Sequence, residues 1–160
     1  MNKPIQVGIT GGIGSGKSLV CRIFGSLGIP LYDADSRAKI LMTTDRILVD
    51  QIKKEFGNLS FNEDGKLNKE HLRKAFNDPQ EIKKLNKLVH PCVGRDYANW
   101  VSQQSESKYV IKEAALLIES GSAKELNHLV VVFAPKELRV QRVLKRDPHR
   151  SPTEIENIIR

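Results

Sequence analysis

The chain has 160 residues, 39% of them hydrophobic and 28% charged, with a formal net charge of +7. That length fits one compact domain around a main core, and the composition is that of a folded globular protein, which excludes intrinsic disorder as the starting assumption. The positive charge suits nucleic acid, an anionic membrane surface or a small polyanion such as a nucleotide, and by itself does not choose among them.

Two cysteines, Cys21 and Cys92, stand far apart with no CxxC spacing and no histidine cluster beside them. They indicate neither a zinc site nor a disulfide framework and read as buried thiols. Met1 leads through Lys3 and Pro4 into an apolar stretch too short for a signal peptide or a membrane span, so the expected compartment is the cytoplasm.

In chain order, "IQVGIT" from Ile5 to Thr10 is a short β-rich run, then come "GGIGSGKS" and the helical spacing of Val20, Ile23, Phe24 and Leu27, ended by Gly28. "IPLYDAD" reads as a second strand, with Pro30 suited to an edge strand or a strand start and Asp33 and Asp35 at its carboxyl end. From Ser36 to about Gln104 the texture is charged and helix-periodic, broken at Gly57, "NEDGK" and Pro79. Within it Glu81 to Trp100 predicts one or two helices interrupted near "HPCVG", because His90 precedes Pro91.

"KYVIKEA" and "HLVVVFAP" return as strands, the second a continuous apolar run of the kind covered on both faces of a parallel sheet. Pro135 to Arg146 predicts an amphipathic helix, and "SPTEIENIIR" another, with Ser151 as N-cap and Pro152 in its first turn. Strands alternating with helices at these spacings predict an α/β fold, a parallel, doubly wound sheet with right-handed crossovers.

Gly11, Gly12, Ile13, Gly14, Ser15, Gly16, Lys17 and Ser18 satisfy G-x-x-x-x-G-K-[ST] between a predicted strand and a predicted helix. The glycines let successive N–H groups face one anion, the helix amino end adds positive potential, Lys17 reaches the β- and γ-phosphates, and Ser18 would ligate Mg2+. Phosphoryl transfer also needs a group that orients the acceptor hydroxyl or takes its proton, and such groups gather at the carboxyl ends of parallel strands. Asp33 and Asp35 would point the same way if the strand persists, one toward Mg2+ and the other toward the acceptor; Asp35 could instead be a helix cap. Glu113, ending "KYVIKEA", could be the acid of a Walker B strand or a solvated strand-end side chain, and Glu119 is a weaker candidate.

Arg139, Arg142 and Arg146 fall on one helix face, either as a lid that closes on ATP and neutralises developing charge or as a solvated basic surface. His90 has no nucleophile placed beside it and reads more readily as structural than as catalytic. Trp100, Tyr97 and Phe76 read as core in preference to a platform for a flat ligand.

"TGGIGSGKS", "LGIPLYDADSRAK", "FGN" with "EDGKLNKEHLRKAF", "LNKLVHP", "EAALLIESG" and "VQRVLKRD" together resemble the dephospho-coenzyme A kinase family, over nearly the whole chain. The resemblance implies a P-loop kinase with ATP and dephospho-coenzyme A as substrates, Mg2+ as cofactor, and phosphorylation of the ribose 3′-hydroxyl. It implies a P-loop core at about residues 1–35 and 105–138, a helical substrate region at 36–104 that includes His90, and a lid at about 139–160. Asp35 matches the presumed base, Asp33 a group near Mg2+ or its structural partner, and Arg142 and Arg146 the lid arginines; Glu113, as the Walker B acid of its strand end, is a further candidate metal ligand. Leu19 replaces the usual Thr, Lys69 a frequent Arg, and "EAALL" the usual D-x-P-L-L, so that Glu113 keeps an acid while Ala115 loses the proline. The family continues into a last strand and helix, so the chain reads as shortened at Arg160, with "HLVVVFAP" left as an exposed sheet edge.

Another small-molecule or nucleoside monophosphate kinase shares the loop, sheet and arginine lid, but the helical "HP" segment argues against it. A nucleotide switch or nucleic-acid-binding ATPase would call for a guanine-reading N-K-x-D, an RNA-binding aromatic signature or a basic stripe elsewhere, and none is present. The expected partners therefore include neither nucleic acid nor membrane.

Overall fold

The computed structural model describes residues 3–159, with residues 74–77 described as helix backbone only, so the expectation for the Phe76 side chain lies outside the described residues. The elements run β1 (Ile5–Thr10), α1 (Lys17–Ser26), β2 (Leu31–Asp33), α2 (Ala34–Thr44), α3 (Arg46–Phe56), α4 (Lys69–Asn77), α5 (Pro79–Ser102), β3 (Tyr109–Glu113), β4 (His128–Val131), α6 (Lys136–Arg146) and α7 (Pro152–Ile159), with short 3-10 turns at Asn58–Ser60 and Ser122–Glu125. By internal contacts the chain divides into two compact units, Met1–Asp33 with Val101–Arg160, and Ala34–Trp100.

The first unit carries the expected α/β fold. Its four strands lie in the order β2-β3-β1-β4 and every pairing is parallel. Register sets Ile9 of β1 beside Glu113 of β3, and Asp33 of β2 on the other side of Glu113. Because side chains alternate along a strand, Ile9 and Ile111 fall on one face of the sheet, where they meet Cys21 of α1 in a buried cluster flanked by Val7, Val20, Phe24, Ile29 and Leu31.

Helix α1 stops where the sequence says it must. Gly28 takes φ 80°, its N–H donates to the Gly25 carbonyl and the Ile29 N–H to that of Phe24, the two bonds of a Schellman ending that only a residue at ease in the left-handed region completes cheaply. The turn delivers Pro30 to the start of β2, which is an edge strand as Pro30 suggested. At the other end of the chain Ser151 and Glu154 close a reciprocal capping box: the Glu154 N–H donates to Ser151 Oγ at 3.2 Å and the Ser151 N–H to Glu154 Oε2 at 2.8 Å.

Strand β4 is shorter and less covered than its apolar run predicts. Only His128–Val131 pair, all four exposed, because β4 forms the second edge of the sheet.

The second unit is helical, as the charged, periodic texture of residues 36–104 suggests. Asp45 caps α3, its Oδ1 accepting the Leu48 N–H at 2.9 Å, and Gly57 ends that helix at φ 86°. Helix α5 overturns the expected interruption: it runs unbroken from Pro79 to Ser102 with Pro91 inside it. An internal proline removes one hydrogen bond and costs about 3 kcal/mol in an isolated helix. Here Leu85, Val89, Cys92, Val93, Tyr97 and Val101 form a buried stripe at helical spacing across the proline, and burial of such a stripe offsets the lost bond. Tyr97 and Trp100 stack with ring centroids 6.1 Å apart; Tyr97 is buried and Trp100 half-buried, in keeping with core side chains. Among the described residues no helix is long and apolar enough to cross a membrane.

Candidate active site

The glycine loop leaves the interior strand β1 at Thr10 and turns into α1 at Lys17. Gly14 and Gly16 take φ 77° and 101°, and the Ser15 N–H folds back onto the Gly12 carbonyl at 3.1 Å. A side chain could not follow this path: a Cβ on Gly11 would come within 2.5 Å of the Val132 carbonyl oxygen, and one on Gly14 within 2.6 Å of that of Arg139. Inside the curl, Ser15 is buried and its Oγ has no hydrogen-bond partner among the described residues. A buried hydroxyl left unpaired costs about 1–3 kcal/mol, and a ligand oxygen would relieve it.

Two side chains of the loop converge on one carboxylate. Lys17 Nζ donates to Glu113 Oε1 at 2.5 Å and Ser18 Oγ to the same oxygen at 3.2 Å. Glu113 is therefore not a solvated strand end: its side chain is 13% exposed, that of Lys17 14%. The sequence gives no sign of one further neighbour: Cys21, one turn along α1, is buried, and burial first, then the nearby Glu113 carboxylate, push its thiol pKa up to about 12, so it stays protonated. Periodicity alone identifies Cys21 as buried but cannot name its neighbour.

Asp33 sits opposite Glu113 in the strand register and is exposed, which brings the carboxyl ends of three parallel strands to the loop. Asp35 does not continue the strand. β2 ends at Asp33 and α2 begins at Ala34, so the expected two-residue alternation stops before Asp35, which occupies the first turn of α2 and is exposed. The negative charge there is favourable at a helix amino end. His90 is exposed on α5 directly before Pro91.

The arginines of α6 separate by role. Arg142 Nη1 donates to the carbonyls of Gly14 at 3.3 Å and Ser15 at 3.2 Å, so it stands against the phosphate loop. Arg139 donates Nε to the Ile13 carbonyl at 2.8 Å; the sequence puts it on the same helix face but gives no sign of this contact. Arg146, on the last turn, is exposed. The loop after β3, where a proline is usual in the family pattern, is held by Thr10, whose Oγ1 donates to the Ala115 carbonyl at 3.1 Å. Glu119 in that loop is exposed.

Within the helical unit Arg37 grips Asp96 with a two-bond fork, Nε to Oδ2 at 2.9 Å and Nη2 to Oδ1 at 2.6 Å. Asp45 accepts the Cys92 thiol at 3.2 Å besides capping α3. The Leu48 N–H first, then that thiol, hold the Asp45 carboxyl below the usual carboxylate range, while burial first and Asp45 second push Cys92 up to about 11.

A glycine loop curled between an interior parallel strand and a helix amino end, with its lysine and serine turned to a strand-end carboxylate, defines the P-loop class of nucleotide-binding proteins. The sequence profile of the CoaE family, dephospho-CoA kinase, matches residues 5–160. Dephospho-CoA kinase of Bacteroides fragilis strain YCH46 is 38% identical over 144 residues, which span 89% of this chain and 70% of that protein. The enzyme of the same name from Chlorobium chlorochromatii is 39% identical over 150 residues, 89% of this chain and 71% of its own. Among solved structures, TT1252 from Thermus thermophilus superimposes with a TM-score of 0.81 at 33% identity, over 98% of this chain and 79% of the other, and dephospho-CoA kinase from Campylobacter jejuni with 0.64 at 25%, over 95% and 77%. The chain belongs to the dephospho-CoA kinase family.

Proposed function

We propose that the chain transfers the γ-phosphoryl group of ATP to the ribose 3′-hydroxyl of dephospho-coenzyme A, giving coenzyme A and ADP. The observation that carries this reading is the convergence of Lys17 and Ser18 on Glu113 at the mouth of a glycine loop, in a chain of this family. The loop N–H groups and the amino end of α1 bind the phosphates. Lys17, which donates to Glu113, reaches the β- and γ-phosphate oxygens when ATP binds.

Asp35 is the group assigned to orient the acceptor hydroxyl and take its proton as the bond to phosphorus forms. Arg142, already against the loop carbonyls, and Arg146 on the same helix supply positive charge to the transferred group, the lid role. Residues 36–104, with His90, form the substrate region. The reading places the enzyme in the cytoplasm with small-molecule partners and neither nucleic acid nor membrane.

Ser18, Glu113 and Asp33 offer oxygen donors of the kind Mg2+ prefers. The described residues include no cluster of three or more His, Cys, Asp or Glu side chains suited to a metal, but Mg2+ is usually held by one or two carboxylates together with substrate phosphates and waters. When bound, it neutralises charge on the β- and γ-phosphates.

Melting the protein with each ligand tests the reading, since a ligand of the native state raises the melting temperature by mass action. Mg·ATP and dephospho-coenzyme A should each raise it and adenylate should not. A shift with adenylate and none with dephospho-coenzyme A would reassign the acceptor.

A further inference from the structure

Two arginines of α6 stand against the phosphate loop, Arg142 on the carbonyls of Gly14 and Ser15 and Arg139 on that of Ile13. Arg139 is half-buried and its Nε donates to the Ile13 carbonyl at 2.8 Å. Its guanidinium also fills the space that a side chain on Gly12 would need: a Cβ there would lie 2.2 Å from Nη2 and 2.9 Å from Cζ. The backbone of the same residue closes on Gly14, where a Cβ would meet the Arg139 carbonyl oxygen at 2.6 Å and its Cα at 3.0 Å.

The Ile13 carbonyl and the Gly14 N–H belong to one peptide group. The chain has no cis peptide bond among its described residues, and in a trans peptide the C=O and N–H point in opposite directions. Holding that oxygen outward therefore turns the Gly14 N–H inward, to the side where an anion sits. Gly14, at φ 77°, offers little resistance to rotation of this peptide, because glycine populates both signs of φ. An external clamp is what keeps the donor aimed.

We infer that Arg139 is a positioning residue of the phosphate loop, whose guanidinium fixes the Ile13–Gly14 peptide so that its N–H faces the bound phosphates. The inference rests on the reading of Gly11–Ser18 as the ATP site. Lysine cannot do the same work: Nε bonds Ile13 while Nη2 lies over Gly12, a two-point placement that needs the planar fork. Arg139 touches the loop from outside, so it acts on nucleotide affinity and not on the transfer step.

Titration calorimetry with ADP on the unaltered chain, Arg139→Ala, Arg139→Lys, Gly12→Ala and the double variant Gly12→Ala/Arg139→Ala tests this. Loss of the clamp should weaken ADP binding about tenfold, the size of one charge-assisted hydrogen bond. Arg139→Lys, which keeps the charge and the helix and so guards against a folding defect, should lose as much. Gly12→Ala should weaken binding by a similar factor, because its methyl displaces the guanidinium, and the double variant should be no weaker than Arg139→Ala alone. In turnover, KM for ATP should rise about tenfold with kcat at saturating ATP and KM for dephospho-coenzyme A within about twofold of the unaltered chain, a split that general loosening of the fold would not give. Full affinity in Arg139→Ala, restoration by lysine, or additive losses in the double variant would each overturn the inference while leaving the ATP site standing. Failure of the unaltered chain to bind ADP would remove the ATP-site reading and the inference with it.

Discussion

Lys17 Nζ lies 2.5 Å from Oε1 of Glu113, 96 residues further along the chain, and ties the amino end of α1 to the carboxyl end of β3. The pair is mostly withdrawn from water, so removing one charge leaves the other poorly solvated. Glu113→Gln should cost the nucleotide-free protein about 2–3 kcal/mol, less than a fully buried pair would lose, and roughly 5–10 °C in melting temperature. ATP with the metal chelated supplies new anions to Lys17 without calling on Glu113 as a donor to Mg2+, so the rise in melting temperature that metal-free ATP gives should be larger in Glu113→Gln than in the unaltered chain. Equal melting temperatures without ligand would show that the pair does not hold the empty site.

Asp35→Asn addresses the acceptor side. Asn keeps the size and much of the hydrogen bonding but cannot take a proton, so turnover should fall by about 100-fold or more while ATP binding stays within about twofold. Unchanged turnover would take the base role away from Asp35.

Much of this site is legible in the sequence because its information is local. The spacing of Gly11, Gly16, Lys17 and Ser18 specifies the loop, Gly28 the Schellman ending, and Ser151 with Glu154 the capping box. Sequence reasoning fails where a distant partner decides. Nothing near residue 139 names Ile13 as its acceptor, and nothing near Cys21 names Glu113. Pro91 breaks helices as a local rule, but the buried stripe on both sides of it carries α5 through. The apolar run from residue 128 reads as a covered strand, yet coverage depends on where the sheet ends, and β4 is an edge.

Two glycines in the left-handed region separate conformational cost from functional cost. Gly28, at φ 80°, has open space where a Cβ would point. Gly28→Ala should therefore cost only about 1–2 kcal/mol of left-handed strain, a fall of roughly 2–8 °C in melting temperature, with KM for ATP unchanged. Gly14→Ala adds contact with the backbone of Arg139, which cannot rotate away. Its KM for ATP should rise more than tenfold, measured by initial rates. Equal effects at the two positions would contradict the close approach of α6 to the loop.

Acid should remove one cap. The Asp45 carboxyl is held below its ordinary range by the Leu48 N–H and the Cys92 thiol, so its folded pKa lies under its unfolded one. The stability it adds is complete above the unfolded value and disappears as pH falls through the folded value. Asp45→Ala should cost about 1–2 kcal/mol near neutral pH, the usual size of a lost cap. Thermal melts of the two proteins should keep that gap down to the ordinary carboxylate range and converge below it. A gap that persists in strong acid would mean packing, not the charged cap, sets the difference.

Above all, this phosphate loop should serve dephospho-coenzyme A. The most direct measurement is mass spectrometry of the acceptor after incubation with Mg·ATP and the protein, with adenylate in a parallel reaction. Dephospho-coenzyme A should become heavier by one phosphoryl group, indistinguishable from coenzyme A, with adenylate unaltered. Phosphorylated adenylate beside untouched dephospho-coenzyme A would contradict this assignment of the acceptor.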